Sequence, residues 1–483
     1  MTNVYTRPRP SSPDDDGPGT SPLNRRRFLG LGAAGLGAMA LAACGGPSTS
    51  DDNGGGSTPS GGGGGGGSAS GTAAAGGDDY SGVKPAAAIK MWTNHPGGSK
   101  DVEQEIVDAY NSSQSETKVT IVTAGSTYED VAQKFQTAQA GNDIPGIVIL
   151  SDVWWFRYMI NDQIIPLDSI LKTVDVDTGD YVDSLYNDYL YKDQHWAVPY
   201  ARSTPLFYYN KDHFSKAGLP DRAPKTWDEF DEWAKKLQGA NLGTQNVYNW
   251  GTITGYIGWT FQNPIWGWGG AYSKDWDITL DADPAIKALT WQQSKMKTNG
   301  GWAGITSNDQ SDDFGAGAIS TTISSTGSLR GILDTAKFDV GTGFLPGGPE
   351  ATDKVCPTGG AGFGIPKKIK PEEQVAAAKF LKFLTSPENT LKFAEATGYM
   401  PVRKSADFKA LTSKTPQAQT ALDQLSHTRS QDAARVFITG GDLIIAKGIG
   451  HVLLDKADPK AAMADVKSQL ETIYNRDIKP NLK

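Results

Sequence analysis

Hydrophobic and polar positions repeat with two periods along the chain, and the two periods interleave. "AAIKMWT" (87–93), "KVTIVT" (118–123) and the short apolar run "IPGIVIL" (144–150) predict strands, the last covered on both faces. Between them, "KDVEQEIVDAYN" (100–111) and "TYEDVAQKFQTAQAG" (127–141) carry apolar residues at helical spacing, the second closed by glycine. Strand, helix and strand at this spacing predict a mostly parallel sheet with helices on both sides. Further on, helices dominate. "KTWDEFDEWAKKLQG" opens on a capping box from Thr226 to Glu229, and "DPAIKALTWQQSKMKTNGG" and "PEEQVAAAKFLKFLTS" follow. "DPKAAMADVKSQLETIYN" places Met463, Val466, Leu470 and Ile473 on one helical face. Strands return at "AISTTIS" (318–324) and "GFGIP" (362–366), and no internal repeat is found.

One segment fits neither period. From Leu237 to Ser273 there is no charged residue, and "GWTFQNPIWGWGG" (258–270) sets three tryptophans among glycines. Gly, Asn, Gln, Pro and Thr interrupt it too often for a membrane span. Such a stretch serves either as core or as an aromatic surface on which a ligand stacks. Sugar rings have apolar C–H faces that suit it, with a few placed polar groups for the hydroxyls. Trp259 and Trp266, flanked by glycine, are the candidates for stacking; core packing is the alternative for each.

The N-terminus changes the setting. Arg25 to Arg27 precede an uncharged run from Phe28 to Ala43, the layout of a secretory signal of twin-arginine type. "LAAC" (41–44) matches a lipobox, which makes Cys44 the expected lipid attachment point. "GLGAAG" (30–35) fits a dinucleotide fingerprint but follows an arginine cluster instead of a strand, so it is discarded. From Gly45 to Asp79 there is no Val, Ile, Leu, Met or aromatic residue. That composition cannot offset its ordering entropy and reads as a flexible tether, with a reach of roughly 30–35 Å.

The folded part, from about residue 85, is 399 residues long, which suits two lobes rather than one core. The formal charge is −8, and five arginines against three aspartates in residues 1–43 leave the remaining chain at −10. An acidic surface argues against nucleic acid as partner. With Cys44 in the lipobox, Cys356 is alone and no internal disulfide can form. The five histidines lack partners at metal-ligand spacing, so no metal site is expected. No nucleophile elbow, P-loop or H-E-x-x-H is present. Asp152, just past the carboxyl end of a buried strand, stands where open α/β sheets bind ligands; a helix N-cap is its alternative role. "ISSTGSLRG" (323–331) offers hydroxyls and free N–H groups to a polar ligand.

With these motifs in hand, "YARSTPLFYYNKDHFSKAGLPDRAPKTWDEF" (200–230) resembles the central signature of carbohydrate-type solute-binding lipoproteins of ABC importers. "GTGFLPGG", "GGAGFGIP" and "ATGYMPVRKSA" fit the same family in the same order, and the glycerol-3-phosphate-binding branch is the most similar. The resemblance implies two α/β lobes, joined by hinge strands, with a ligand cleft between them. It divides the chain into lobe 1 (85–202 and 324–368) and lobe 2 (203–323 and 369–483), with crossings near 200–204, 320–326 and 366–371. It implicates Tyr128, Asp152, Ser203, Trp259, Ser325, Gly360 and Tyr399 as ligand-binding residues. The branch places an arginine in a late helix, facing the phosphate; here that place falls on or beside Ala446, with Lys447 as the nearest base. A neutral sugar or polyol is therefore the expected ligand. The alternative is glycerol-3-phosphate or a glycerophosphodiester, held partly by Arg202 or by an aromatic cage. The resemblance implies a monomeric receptor that delivers its solute to membrane permeases, needs no cofactor and catalyses nothing; an extracellular carbohydrate-active enzyme is the rival class.

Overall fold

The computed structural model describes residues 79–482, apart from Asn142 and Gly255. Cys44, the expected export signal and most of the expected tether lie outside the described residues. The elements that build the two sheets and the cleft run in chain order as follows. The first set is β1 (Ala88–Thr93), α1 (Lys100–Ser113), β2 (Lys118–Thr123), α2 (Tyr128–Ala138), β3 (Ile147–Ser151) and β4 (Val198–Ser203). There follow β5 (Pro205–Asn210), α3 (Trp227–Gly239), β6 (Asn246–Trp250), α4 (Tyr256–Thr260), α5 (Gln262–Gly267) and α6 (Asp283–Ser294). Then come β7 (Ala303–Ile305), β8 (Ile319–Ser325), β9 (Val340–Gly343) and β10 (Gly359–Gly364). The chain closes with α7 (Pro371–Leu384), α8 (Pro387–Thr397), α9 (Ala433–Val436), α10 (Gly441–Asp455) and α11 (Pro459–Ile473).

Two five-stranded sheets result. The first has the order β2-β1-β3-β10-β4 and the second β7-β6-β8-β5-β9. In each, three neighbouring strands pair in parallel and the other two pairings are antiparallel, so the sheets are mixed, and only the parallel part follows the expected βαβ pattern. All five residues of β3 are buried, as its unbroken apolar run requires in a strand covered on both faces. Local signals set the helix starts. Thr127 caps α2 in a full capping box with Asp130. Thr226 accepts from the Glu229 N–H at 3.1 Å, but the Glu229 carboxylate turns to the Lys225 N–H (2.6 Å) and Arg222, so the second expected box is only half formed.

Thr204 alone separates β4 in the first sheet from β5 in the second. A second crossing lies at Thr358, between the short strand Cys356–Pro357 and β10. The short helix Leu329–Thr335 packs both on Gln310–Gly315 and on α8, between the lobes. The expected lobe boundaries need correction. Val340–Gly343, placed in lobe 1, pairs with β5 in the second sheet. Residues 371–397, placed in lobe 2, bury Val375, Phe380, Leu381 and Phe393 in the same core as Met91 and Ile106 of the first lobe. Residues 366–371 are therefore no crossing, since β10 and α7 both belong to the first lobe. Amphipathic spacing tells which helix face is buried, not which core receives it.

Candidate functional site

The parallel strands end on the facing sides of the two lobes, and a cleft of about 350 Å³ opens there. The first lobe contributes Tyr128 and Glu129 from the first turn of α2, Ser151 and Asp152 at the end of β3, Ser203 from β4, Gly360 from β10, and Tyr399 after α8. The second contributes Tyr256 and Trp259 from α4, Ser325 and Ser328 at the end of β8, Arg435 from α9 and Asp442 from α10. Seven of the eight residues expected from the sequence thus line one cavity: Tyr128, Asp152, Ser203, Trp259, Ser325, Gly360 and Tyr399.

Trp266 does not. It is 2% exposed, donates its indole N–H to Asp432 at 3.0 Å and is covered by the Arg429 guanidinium, 4.0 Å from its ring. The uncharged stretch therefore has two uses. Its N-terminal end presents Trp259 to the cleft, while Asn263 and Trp266 fill the second lobe's core. Asn263 accepts from the Trp227 indole at 2.9 Å and donates to the carbonyls of Pro346 and Val355, so a charge here would be buried.

The aromatic walls are fixed from behind. Trp259 donates to the Thr358 carbonyl at 2.9 Å, directly at a crossing between the lobes, and meets Tyr256 edge-on at 5.5 Å. The Tyr256 hydroxyl accepts from the Ser325 N–H at 2.8 Å. The Tyr399 ring lies against Gly97 and Gly327, where added Cβ atoms would come within 2.9 Å and 2.6 Å of it. Its hydroxyl stands 3.4 Å from that of Tyr128. Burial pushes the ionisation of both phenols to higher pH, so both stay neutral donors. Gly360 has φ +100°, and a Cβ there would lie 2.0 Å from the Ala201 carbonyl oxygen; only glycine lets β10 pass at this point.

The charged groups are what the sequence left unread. Arg435 is buried, its Nε 2.7 Å from the Asp442 carboxylate and a terminal nitrogen 3.8 Å from that of Asp152 on the other lobe. Gln431 donates to Asp152 and accepts from Arg435. Glu129 lines the same cavity as a third carboxylate, close enough to Asp442 to act on its charge. Burial pushes the Asp442 carboxyl up to about 6; Arg435 opposes this, and Asp152 and Glu129 add to it. The Ser151 hydroxyl is buried and has no hydrogen-bond partner. Arg435 lies in a four-residue helix too short to show any periodicity. The cations weighed in its stead are elsewhere. Arg202 is fully buried, bonded to Tyr189 at 3.0 Å and to Asp188. Lys447 is exposed in a separate groove with His451 and Asp465, while Ala446 is buried behind Gly258.

A larger hollow of about 660 Å³ lies on the second lobe, beside the edge strand β9 and Cys356, and none of the expected residues reaches it. Among the described residues no cluster of His, Cys, Asp and Glu could hold a metal ion, and no helix is long and apolar enough to cross a membrane.

Two α/β lobes, joined by several crossings of the chain and lined at their facing strand ends by aromatic and polar groups, define a solute-binding receptor of ABC importers. The chain belongs to the bacterial extracellular solute-binding proteins, whose family model matches residues 105–421. It is 27% identical over 369 residues to the sn-glycerol-3-phosphate-binding periplasmic protein UgpB of Escherichia coli K12, covering 71% of this chain and 81% of that protein. The solved structure of UgpB from Mycobacterium tuberculosis in complex with glycerophosphocholine is 43% identical, with a TM-score of 0.77 over 81% of this chain and 99% of that one. Maltose-bound MalE3 of T. maritima, at 21% identity and a TM-score of 0.70 over 80% of this chain and 99% of that one, shares the fold.

Proposed function

We propose that the cleft captures a glycerophosphodiester bearing a cationic head group, and that the protein hands it to membrane permeases without chemical change. The observation that carries this is one guanidinium, Arg435, lining the same cavity as three carboxylates and the rings of Tyr128, Tyr256, Trp259 and Tyr399. A phosphodiester takes charge-assisted hydrogen bonds from Arg435, and the unpartnered Ser151 hydroxyl is free to join them. A quaternary ammonium suits aromatic faces backed by carboxylates. The 43% identity to a structure holding glycerophosphocholine supports the same reading.

A second reading, a sugar or polyol, is favoured by the hydroxyls of Ser151, Ser203, Thr254, Ser325 and Ser328 along the walls. Calorimetric titration with glycerophosphocholine, sn-glycerol-3-phosphate, maltose and ribitol separates the two. Binding of the diester, lost in Arg435→Ala, is expected. Heat from a sugar or polyol and none from the diester would select the second reading. Mass spectrometry of the bound solute should recover it unaltered; a product would return the enzyme class.

For the location, we propose export and anchoring through a lipid on Cys44, supported by the arginine cluster, the apolar run and the lipobox. Cys44→Ser should move the protein from the membrane fraction to the medium.

A further inference from the structure

We propose that Asp442 decides which anion Arg435 accepts, admitting a singly charged phosphodiester and refusing a doubly charged phosphomonoester. This rests on the ligand reading above and adds a selectivity residue to it.

Asp442 is the second residue of α10, and 17% of its side chain is exposed. Its carboxylate oxygen and the Arg435 Nε are 2.7 Å apart yet not aligned for a hydrogen bond, so the charges meet without the geometry that would lock them. Gly258 backs the carboxylate; a Cβ there would lie 2.9 Å from its oxygen, so the absence of a side chain at 258 leaves the room that Asp442 occupies. The ionisable groups facing it are Arg435 from α9, Asp152 from the end of β3 and Glu129 from α2, with the neutral phenol of Tyr272 also within its field. Counted formally, three carboxylates stand against one guanidinium in the lining of the cleft.

An incoming monoanion can replace Asp442 at Arg435 if Asp442 takes up a proton, and its carboxyl is already pushed up to about 6. A dianion brings one charge more into the same field of Asp152 and Glu129, where repulsion is poorly screened. Binding of an anion is then linked to proton uptake, and affinity for a diester rises as pH falls. The diester phosphate itself does not titrate in this range, so the dependence belongs to the protein.

The test titrates the full chain, wild type, Asp442→Asn and Asp442→Ser, with glycerophosphocholine and sn-glycerol-3-phosphate at about pH 8, where the monoester is a dianion. Wild type should prefer the diester by at least about tenfold, and both variants should shrink that preference about tenfold by gaining monoester affinity. Wild-type affinity for the diester should rise several-fold from about pH 8 to about pH 5, and the variants should be flat. An unchanged preference in a variant with a normal melting curve overturns the proposal. If neither variant folds, a flat wild-type pH profile does so alone. Failure of wild type to bind either ester overturns the ligand reading and this proposal with it, whereas diester binding with unaltered selectivity removes only the role of Asp442.

Discussion

Asp152 and Arg435 face each other across the cleft, one from each lobe, 3.8 Å apart and bridged by Gln431. The pair ties the end of β3 to α9, so it holds the lobes as well as polarising the site. Removing it should loosen the ligand-free molecule. Asp152→Ala is expected to enlarge the radius of gyration in solution scattering without ligand, while saturating ligand restores the wild-type value. Identical ligand-free curves for variant and wild type would show that the contact holds nothing.

Tyr399 owes its position to two residues without side chains. A methyl on Gly327 would lie 2.6 Å from the ring, and since Phe393 stacks behind it at 5.8 Å, the ring has only the cleft to move into. Gly327→Ala should weaken binding about tenfold, because a misplaced wall costs contacts and the Tyr128 partner together. Calorimetry measures the loss. The melting temperature should fall by only a few degrees, as the segment lies at the surface of the cleft rather than within a core.

How much of this was legible in the sequence depends on which physical signal each part carries. Strands such as Ile147–Ser151 and helices such as Tyr128–Ala138 follow from period and caps, which are local. Asp152 and Ser325 follow from their place at strand ends, and Tyr128, Ser203, Trp259, Gly360 and Tyr399 from the resemblance of their motifs; all line the cleft, since the ends of sheet strands are where clefts form. Trp266 takes the core alternative, because glycine neighbours mark close packing as well as exposure: Gly267 packs on the backbone of Gly348. Arg435 was passed over because nothing local separates a cleft arginine from a surface one; its partners Asp152 and Asp442 are 283 residues and seven residues away. The return of α7 and α8 to the first lobe is likewise set by which core has room, which no helical period encodes.

The raised carboxyl of Asp442 makes a statement about stability. Its folded value, about 6, lies above its ordinary 3.8, so the folded state favours the protonated form. The stability this group contributes is full below about pH 4 and is lost as pH rises through about 6, on the order of 1–3 kcal/mol. Asp442→Asn has nothing to ionise. Its melting temperature should match wild type near pH 4 and exceed it by several degrees near pH 7. A constant difference across that range would mean that the carboxyl titrates at its ordinary value.

Trp259 and Trp266 stand seven positions apart in the same uncharged stretch and should respond to truncation in opposite ways. Trp259 lines the cleft, 6% exposed, with its N–H held by the Thr358 carbonyl. At this exposure little of its ring is left for a ligand to cover, so its worth to binding lies in the shape of the wall it makes and its tie to the crossing, about 1–3 kcal/mol. Trp259→Ala should therefore weaken binding about ten- to a hundredfold, and Trp259→Phe, which keeps a ring and loses the donor, by less. Trp266 touches no part of the cleft. Trp266→Ala removes a buried indole and leaves the buried Asp432 carboxylate with one donor fewer, at a cost of about 3–5 kcal/mol. The folded fraction of that variant should bind with wild-type affinity. Melting curves without ligand, set beside calorimetry at a temperature where both variants are folded, read the two effects separately. A Trp259→Ala protein that melts early and binds normally would move the aromatic wall of the site away from α4, and with it the reading of the whole stretch.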